Sequence, residues 1–593
     1  MTKVRSLPRL LIPTALLLVL AACTTPPPAQ IAMLTATPVT VSTAEPLATV
    51  EAGGLPAAVE YDLGEATIVQ ERFPEDSRFR NMPVRLNGLI AAPSEGDGPF
   101  PVVVIIHGTH PGCPEVEMGV DRWPCDPAVE QRNYSGFAYL ASALAAQGYI
   151  VLAPNFNAEH TFGFGEPTPD ERLTQVFDLH LQGLAEASAG GANGFGVDLA
   201  GRADLGRLAL FGHSRGGGSA VGLANNPELM AASRGYGPAA GVLLIAGATA
   251  ALDPWSSVSA PLATILAACD GDVTDQTGQF FFEGPRLAPD QTEWAASAWL
   301  ERANHNSFNT FLPGDMITLR DRPDCETLLD GEAQRAWLVD YAGDFLTTLR
   351  LAAGDAAAVD EAKARMGLDV TAPAPDTLYG LPGRVAFLAP AANRQTLMIP
   401  AQEKELATNL LGGMVTAENA TTHFCPKAFY SAWSLPGSEP CRRNYVTVPG
   451  QPAHAVISWE QPGAALRFAL PDGAGDLSGF ATLSLRAAVD PASPLNATGE
   501  PQAFSVKVTD RAGNSATVQT RPDEPALAFP AGEMQEVSDT ETGFFTGIVP
   551  LTTIRLPLAG FAGVDLSDIA EIALIFDQTP SGALFAGDLE WIR

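Results

Sequence analysis

Three kinds of side chain, set far apart in the sequence, have the chemistry needed to cut an acyl bond: Ser214, His305 and an acid at Asp270 or Asp272. Ser214 is the centre of Gly212-His213-Ser214-Arg215-Gly216-Gly217. That stretch follows the apolar run Leu208-Ala209-Leu210-Phe211 and leads into Gly218-Ser219-Ala220-Val221-Gly222-Leu223-Ala224. The pattern predicts a strand, a sharp turn and a helix, with the serine at the apex. Small residues flank such a turn because the serine backbone is strained and closely packed, and the strain lifts the hydroxyl clear of the sheet. A serine hydroxyl is a poor nucleophile until a neighbouring base, itself held by a third group, takes its proton.

Candidates for the other two groups lie downstream. Pro261 introduces an apolar strand, Leu262 to Ala268, that runs into Cys269-Asp270-Gly271-Asp272-Val273. His305 stands between Asn304 and Asn306 and is the only histidine between Ser214 and the C-terminal region. Upstream, Pro101-Val102-Val103-Val104-Ile105-Ile106 reads as a strand buried on both faces, since its apolar residues are continuous rather than alternating. It ends in His107-Gly108-Thr109-His110.

Taken together and in this order, the motifs resemble the α/β-hydrolase superfamily between residues 60 and 350. The turn Gly-His-Ser-Arg-Gly-Gly is similar to that of chlorophyllase-like and platelet-activating-factor-acetylhydrolase-like esterases. The resemblance implies that serine, acid and histidine follow in that chain order. Asp270 is preferred as the acid because Asp-x-x-Val after such a strand resembles the family pattern; Asp272 remains the rival. The His-Gly turn at 107–108 resembles the family's oxyanion turn, which implies N–H donors at Arg215 and Thr109. Two such donors are commonly worth about 3 kcal/mol each to the transition state. The implied reaction is acyl transfer to water, with esters favoured over peptides.

Each residue also has a structural reading. Ser214 is a possible helix cap, and His305 a possible loop histidine bonded to backbone. His213, His107 and His110 are expected to pack beside the sheet, stabilise the turn or line the pocket. Asp270 and Asp272 lack the further ligands a metal site needs, so neither a metal nor a cofactor is expected.

The N-terminus reads as an export signal. Lys3, Arg5 and Arg9 precede the apolar stretch Leu10 to Leu20, which is short for a membrane span. Leu20-Ala21-Ala22-Cys23 resembles a bacterial lipobox, which implies cleavage before Cys23 and its lipidation, and therefore an extracytoplasmic protein anchored to a membrane. Residues 23–60 are rich in Thr, Pro and Ala and form an expected tether. The other six cysteines fall into neighbouring pairs, predicting disulfides Cys113–Cys125, Cys269–Cys325 and Cys425–Cys441. A net charge of -32 disfavours nucleic acid and anionic membrane surfaces as partners.

A chain of 593 residues exceeds one hydrophobic core. The expected order is a signal peptide (1–22), the tether (23–60), an α/β-hydrolase domain with a mostly parallel, helix-covered sheet (61–354), a linker (355–380) and an all-β sandwich (381–593). Helical patterns at Phe137 to Gln147, Glu171 to Ala187 and Arg335 to Leu351 alternate with strands in the first part. The segment Pro111 to Tyr134 is an insertion expected to overhang the pocket. After residue 381 short alternating strands dominate, resembling jelly-roll, galactose-binding-like modules, with glycan as a candidate partner. The resulting expectation is a serine esterase acting outside the cytoplasm on a small or polymeric ester. A peptidase or amidase with the same triad, and a glycan-binding protein with an inactive hydrolase domain, are the competing classes.

Overall fold

Val102 to Ile106 are fully buried, as an unbroken β-branched run requires, and they lie at the heart of a large sheet. The computed structural model describes residues 54–117, 120–166, 169–231, 234–249, 258–288, 290–319, 322–352, 355–427, 441, 444–536 and 543–593. The expected signal segment, the lipidation site Cys23 and most of the tether lie outside these residues. Among the described residues no helix is long and apolar enough to cross a membrane.

The first part of the chain builds β1 (Val59–Val69), β2 (Asn81–Ala91), β3 (Phe100–Ile106), a short pair β4 (Glu115–Glu117) and β5 (Val120–Asp121), and β6 (Ile150–Pro154). It continues with β7 (Ala203–His213), β8 (Ala239–Ile245), β9 (Leu262–Ala267), β10 (Ala295–Leu300), β11 (Thr377–Leu378) and β12 (Leu381–Leu388). All but β4 and β5 form a ten-stranded sheet in the order β1-β2-β6-β3-β7-β8-β9-β10-β12-β11. The six central strands, from β6 to β10 in that order, pair in parallel. At both edges the pairing is antiparallel, so the sheet is mixed rather than mostly parallel.

Alternation along each central strand sends side chains to opposite faces, and helices cover both. The helices are α1 (Ala138–Ala146), α2 (Asn157–His160), α3 (Pro169–Ser188), α4 (Arg215–Ala224), α5 (Phe280–Arg286), α6 (Gly331–Thr348) and α7 (Ala356–Arg365). Val104, Leu210 and Leu244 pack with Phe177 and Leu181 of α3 and Val221 of α4. Val103, Phe211 and Leu243 pack with Leu140 of α1 and with Trp337 and Phe345 of α6. Asp330 starts α6 by accepting the N–H groups of Glu332 and Ala333, the expected work of an acidic N-cap.

Two features differ from the sequence expectation. The segment 355–380 is not an open linker: it contains α7 and the edge strand β11. Leu381–Leu388, expected to open the β module, instead pairs with β10 in the large sheet. Its alternating pattern suits an antiparallel strand in either place, so the pattern alone could not assign it.

From residue 394 onward the chain is β-rich. One antiparallel sheet centres on Gly582–Ile592, flanked by His454–Trp459 and Thr482–Val489; the other centres on Ile569–Phe576, flanked by Ala464–Ala469 and Ser505–Asp510. Their facing side chains, among them Trp459, Leu485 and Leu589 from one and Leu466, Val508 and Phe576 from the other, share a core. Trp459 stacks on Phe576 with centroids 4.3 Å apart. All three expected disulfides, Cys113–Cys125, Cys269–Cys325 and Cys425–Cys441, are present.

Where α5 meets this β-rich part, four charged side chains are buried together. Arg486 donates to Glu283 Oε1 at 2.6 Å and to Asp588 Oδ2 at 3.2 Å, and Arg286 pairs with Asp588. None of the four is more than 3% exposed. Removing one member leaves an uncompensated buried charge, which typically costs about 3–5 kcal/mol. Arg486→Met is therefore expected to lower the unfolding free energy by about that amount, read from the midpoint of denaturant unfolding.

Candidate functional site

The β7–α4 turn holds Ser214 at φ 57° and ψ -131°, a conformation that non-glycine residues rarely adopt. Close backbone approach explains the surrounding glycines. A Cβ at Gly212 would come 2.1 Å from the Gly216 carbonyl oxygen, and one at Gly216 would come 2.3 Å from that of Ile106. Three hydrogen bonds pin the turn: Ser214 N–H to Ile245 O (3.1 Å), Ala248 N–H to Ser214 O (2.8 Å) and Gly217 N–H to Ser214 O (2.9 Å). The side chain of Arg215, the first residue of α4, points to solvent.

Beside this turn lies the end of β3. A Cβ at Gly108 would sit 2.5 Å from Ser214 Cβ and 3.1 Å from its hydroxyl oxygen, so the 107–110 turn runs directly against the serine. His107 fastens that turn: one ring nitrogen bonds Gly108 O at 2.8 Å and the other accepts the Phe156 N–H at 2.9 Å. Burial pushes its pKa down to about 4, so it stays neutral. The hydroxyl of Thr109 and Nε2 of His110 are buried without a hydrogen-bond partner.

The acid and the histidine meet through tertiary structure. Asp270 follows β9 and His305 follows β10, and Asp270 Oδ2 accepts from His305 Nδ1 at 2.8 Å. Its other oxygen accepts the N–H groups of Asp272 (2.9 Å) and Val273 (2.5 Å). Asp272 faces elsewhere, accepting from Met316 N–H at 2.6 Å and from the Asn306 amide at 3.1 Å. These bonds select Asp270 over Asp272 as the partner of His305 and occupy both carboxylates with protein donors. They also orient His305 with a bare Nε2, which is buried and unpartnered. Burial lowers the affinity of this imidazole for a proton, but Asp270 and then Asp272 and Asp315 more than offset it, and its pKa is raised.

His213 joins the two halves of the site. Its Nε2 donates to the His305 carbonyl at 3.1 Å, and the rings lie 4.7 Å apart. Burial holds His213 neutral, with the neighbouring His305 acting in the same sense. His110 is likewise lowered to about 4 by burial and by His305. One histidine of this cluster is thus basic, and its neighbours His107, His110 and His213 are not.

Sequence reasoning assigned no role to Asp315 or to the anchors of the insertion. Asp315 lies in a Pro-Gly loop after His305, where no pattern distinguishes it from a solvated turn acid. The insertion is fastened through Arg85 to Glu130, through Asn157 to Glu130 (3.1 Å) and Asn133 (2.9 Å), and through Trp123 to Pro83 O (2.9 Å). It touches the 107–110 turn where the Asn133 amide donates to His110 O at 3.4 Å.

No known protein family and no curated protein matches this chain.

Two outcomes follow from the geometry. Gly216→Ala should cost about 1–3 kcal/mol or more through overpacking against rigid backbone, measured by chemical denaturation. The His305 imidazole should titrate above the ordinary value of about 6.5, and Asp270→Asn should bring it below that, since burial then acts against a weaker partner; ring-proton NMR against pH reads both.

Proposed function

We propose that this protein is a serine hydrolase of the α/β-hydrolase type that cleaves carboxylic esters through an acyl-enzyme. Ser214 attacks the acyl carbon as His305 Nε2 takes the hydroxyl proton. His305 then returns that proton to the leaving alcohol. Asp270 fixes the tautomer that leaves Nε2 free and stabilises the imidazolium that forms. The N–H groups of Arg215 and Thr109 are assigned to the developing oxyanion. Water, activated in turn by His305, releases the acid and restores Ser214.

The observation that carries this reading is the Asp270–His305 bond at 2.8 Å with the opposite ring nitrogen buried and bare. His213, the residue before Ser214, donates to the His305 carbonyl at 3.1 Å, and Ser214 itself is held in a strained strand-to-helix turn. His110 and His213 also leave a ring nitrogen bare and buried, but His305 is the histidine of this site whose other nitrogen is bonded to a carboxylate, which makes its bare Nε2 a base. The parallel centre of the sheet, covered on both faces, supports the same superfamily.

Three disulfides support work in an oxidising compartment. The lipobox-like Leu20-Ala21-Ala22-Cys23 supports a lipid anchor there. The β-rich C-terminal part is read as an accessory module, with glycan as its candidate ligand.

Hydrolysis of nitrophenyl esters of increasing acyl length tests the proposal. Ser214→Ala and His305→Ala should each lower kcat by about 10⁴-fold or more, because the three residues act as a unit. Asp270→Asn should cost about 10⁴-fold, and Asp272→Asn far less. A fluorophosphonate should label Ser214 alone, and a folded protein that neither reacts nor turns over any ester would overturn the assignment. The acid limb of kcat/KM should lie above the ordinary imidazole range: the base works only when neutral, and its pKa is raised.

A further inference from the structure

We infer that Asp315 is a positioning residue that locks the acid loop and the histidine loop into one rigid unit; this inference rests on reading Asp270 and His305 as catalytic partners. Asp270 and His305 leave the sheet from different strands; the Cys269 N–H bonds Ala303 O at 2.8 Å, Cys269 is disulfide-bonded to Cys325, and one 3-10 turn, Asn306–Phe308, follows His305. Both loops converge on the carboxylate of Asp315. Its Oδ2 accepts the N–H of Gly271 at 2.8 Å and that of His305 at 2.9 Å, while Oδ1 accepts the N–H of Asn306 at 2.8 Å. One side chain thus bonds the residue after the acid, the histidine itself and the residue after the histidine.

The approach is close enough to dictate sequence. A Cβ at Gly271 would lie 2.0 Å from Ile317 O and 2.8 Å from Asp315 Cβ. Asp272 completes the clamp in the opposite direction, reaching from the acid loop to Met316 N–H and to the Asn306 amide. A carboxylate accepting three N–H groups is held in geometry; these bonds favour its charged form, but burial outweighs them and raises its pKa. Relaxing that geometry would let the Asp270–His305 pair drift, and a misplacement of about 1 Å can cost about 100-fold in rate.

Asp315 also acts on His305 through its charge. The groups facing this imidazole are Asp270 and Asp272 from the acid loop, Asp315 from its own loop, His213 from the β7–α4 turn and His110 from the β3 turn. His213 and His110 stay neutral, so Asp315 belongs to the carboxylate set that keeps His305 basic. Neutralising it therefore lowers the His305 pKa, a change that loss of packing alone does not produce.

The test compares wild type with Asp315→Asn, which keeps the size but loses the charge and one acceptor. Expected are a 10- to 100-fold lower kcat, a KM within about twofold, and an acid limb and His305 ring titration both displaced to lower pH. An unchanged kcat overturns the inference, and so does a lower kcat with the His305 titration unmoved. A wild-type measurement covers the case in which the variant does not fold. The amide protons of Gly271, His305 and Asn306 should titrate together with one apparent pKa, that of Asp315, which burial raises; three unrelated titrations overturn the clamp. These NMR readouts do not depend on turnover. If wild type hydrolyses no ester and resists fluorophosphonate, the hydrolase reading fails, while the role of Asp315 is still decided.

Discussion

Backbone crowding between β3, β7 and α4 is the constraint on which the rest of the site depends. Gly216 lies so near the Ile106 carbonyl that no side chain fits, and Gly108 presses equally close to Ser214. The serine can hold φ 57° only because Ile245 of β8 fixes its N–H while Ala248 and Gly217 fix its carbonyl. Such a backbone costs about 1–3 kcal/mol and persists only where its surroundings over-determine it. Two buried cores, one on each sheet face, supply that rigidity.

Around the strained turn, electrostatics divides labour among chemically similar groups. His107 is tied at both nitrogens and His213 at one, and burial keeps both neutral. His305 differs because a carboxylate meets its Nδ1. The three nearby aspartates are likewise separated by their partners. Asp270 serves the imidazole, Asp272 serves the following loop, and Asp315 ties the two loops together. In a protein of net charge -32 such clustering of acids is tolerable because each is bonded to N–H donors rather than left to repel its neighbours.

The second half of the molecule is joined to the first by a different kind of contact. Glu283 and Arg286 of α5 enter a buried charge network with Arg486 and Asp588. Such networks contribute little net stability compared with apolar packing, yet they penalise any arrangement that leaves one member unpaired. Strand β12 adds a covalent link, since it completes the large sheet before the chain proceeds into the β-rich part. Arg384, on that strand, donates to Pro525 O at 2.9 Å, and Arg555 donates to Gly367 O at 2.7 Å. The sheet that presents Ser214 is thus braced by the module at its far edge.

The sequence by itself determined what depends on local chemistry. The turn at Ser214 was legible because its glycines and flanking apolar run are contiguous. The buried strand at 102–106 was legible from its unbroken β-branched character, and the three disulfides from cysteines that are neighbours in the chain. Membership of strand 381–388 was not legible, because an alternating pattern states which face is buried but not which sheet supplies the partner. Between Asp270 and Asp272 a resemblance favoured the first without excluding the second: they are two residues apart, and the path of the β9 and β10 loops decides which carboxylate meets His305. Asp315 was invisible for the same reason. Its function lies in backbone N–H groups brought from Gly271, His305 and Asn306, and every residue carries such a group, so the tertiary fold alone determines which of them converge.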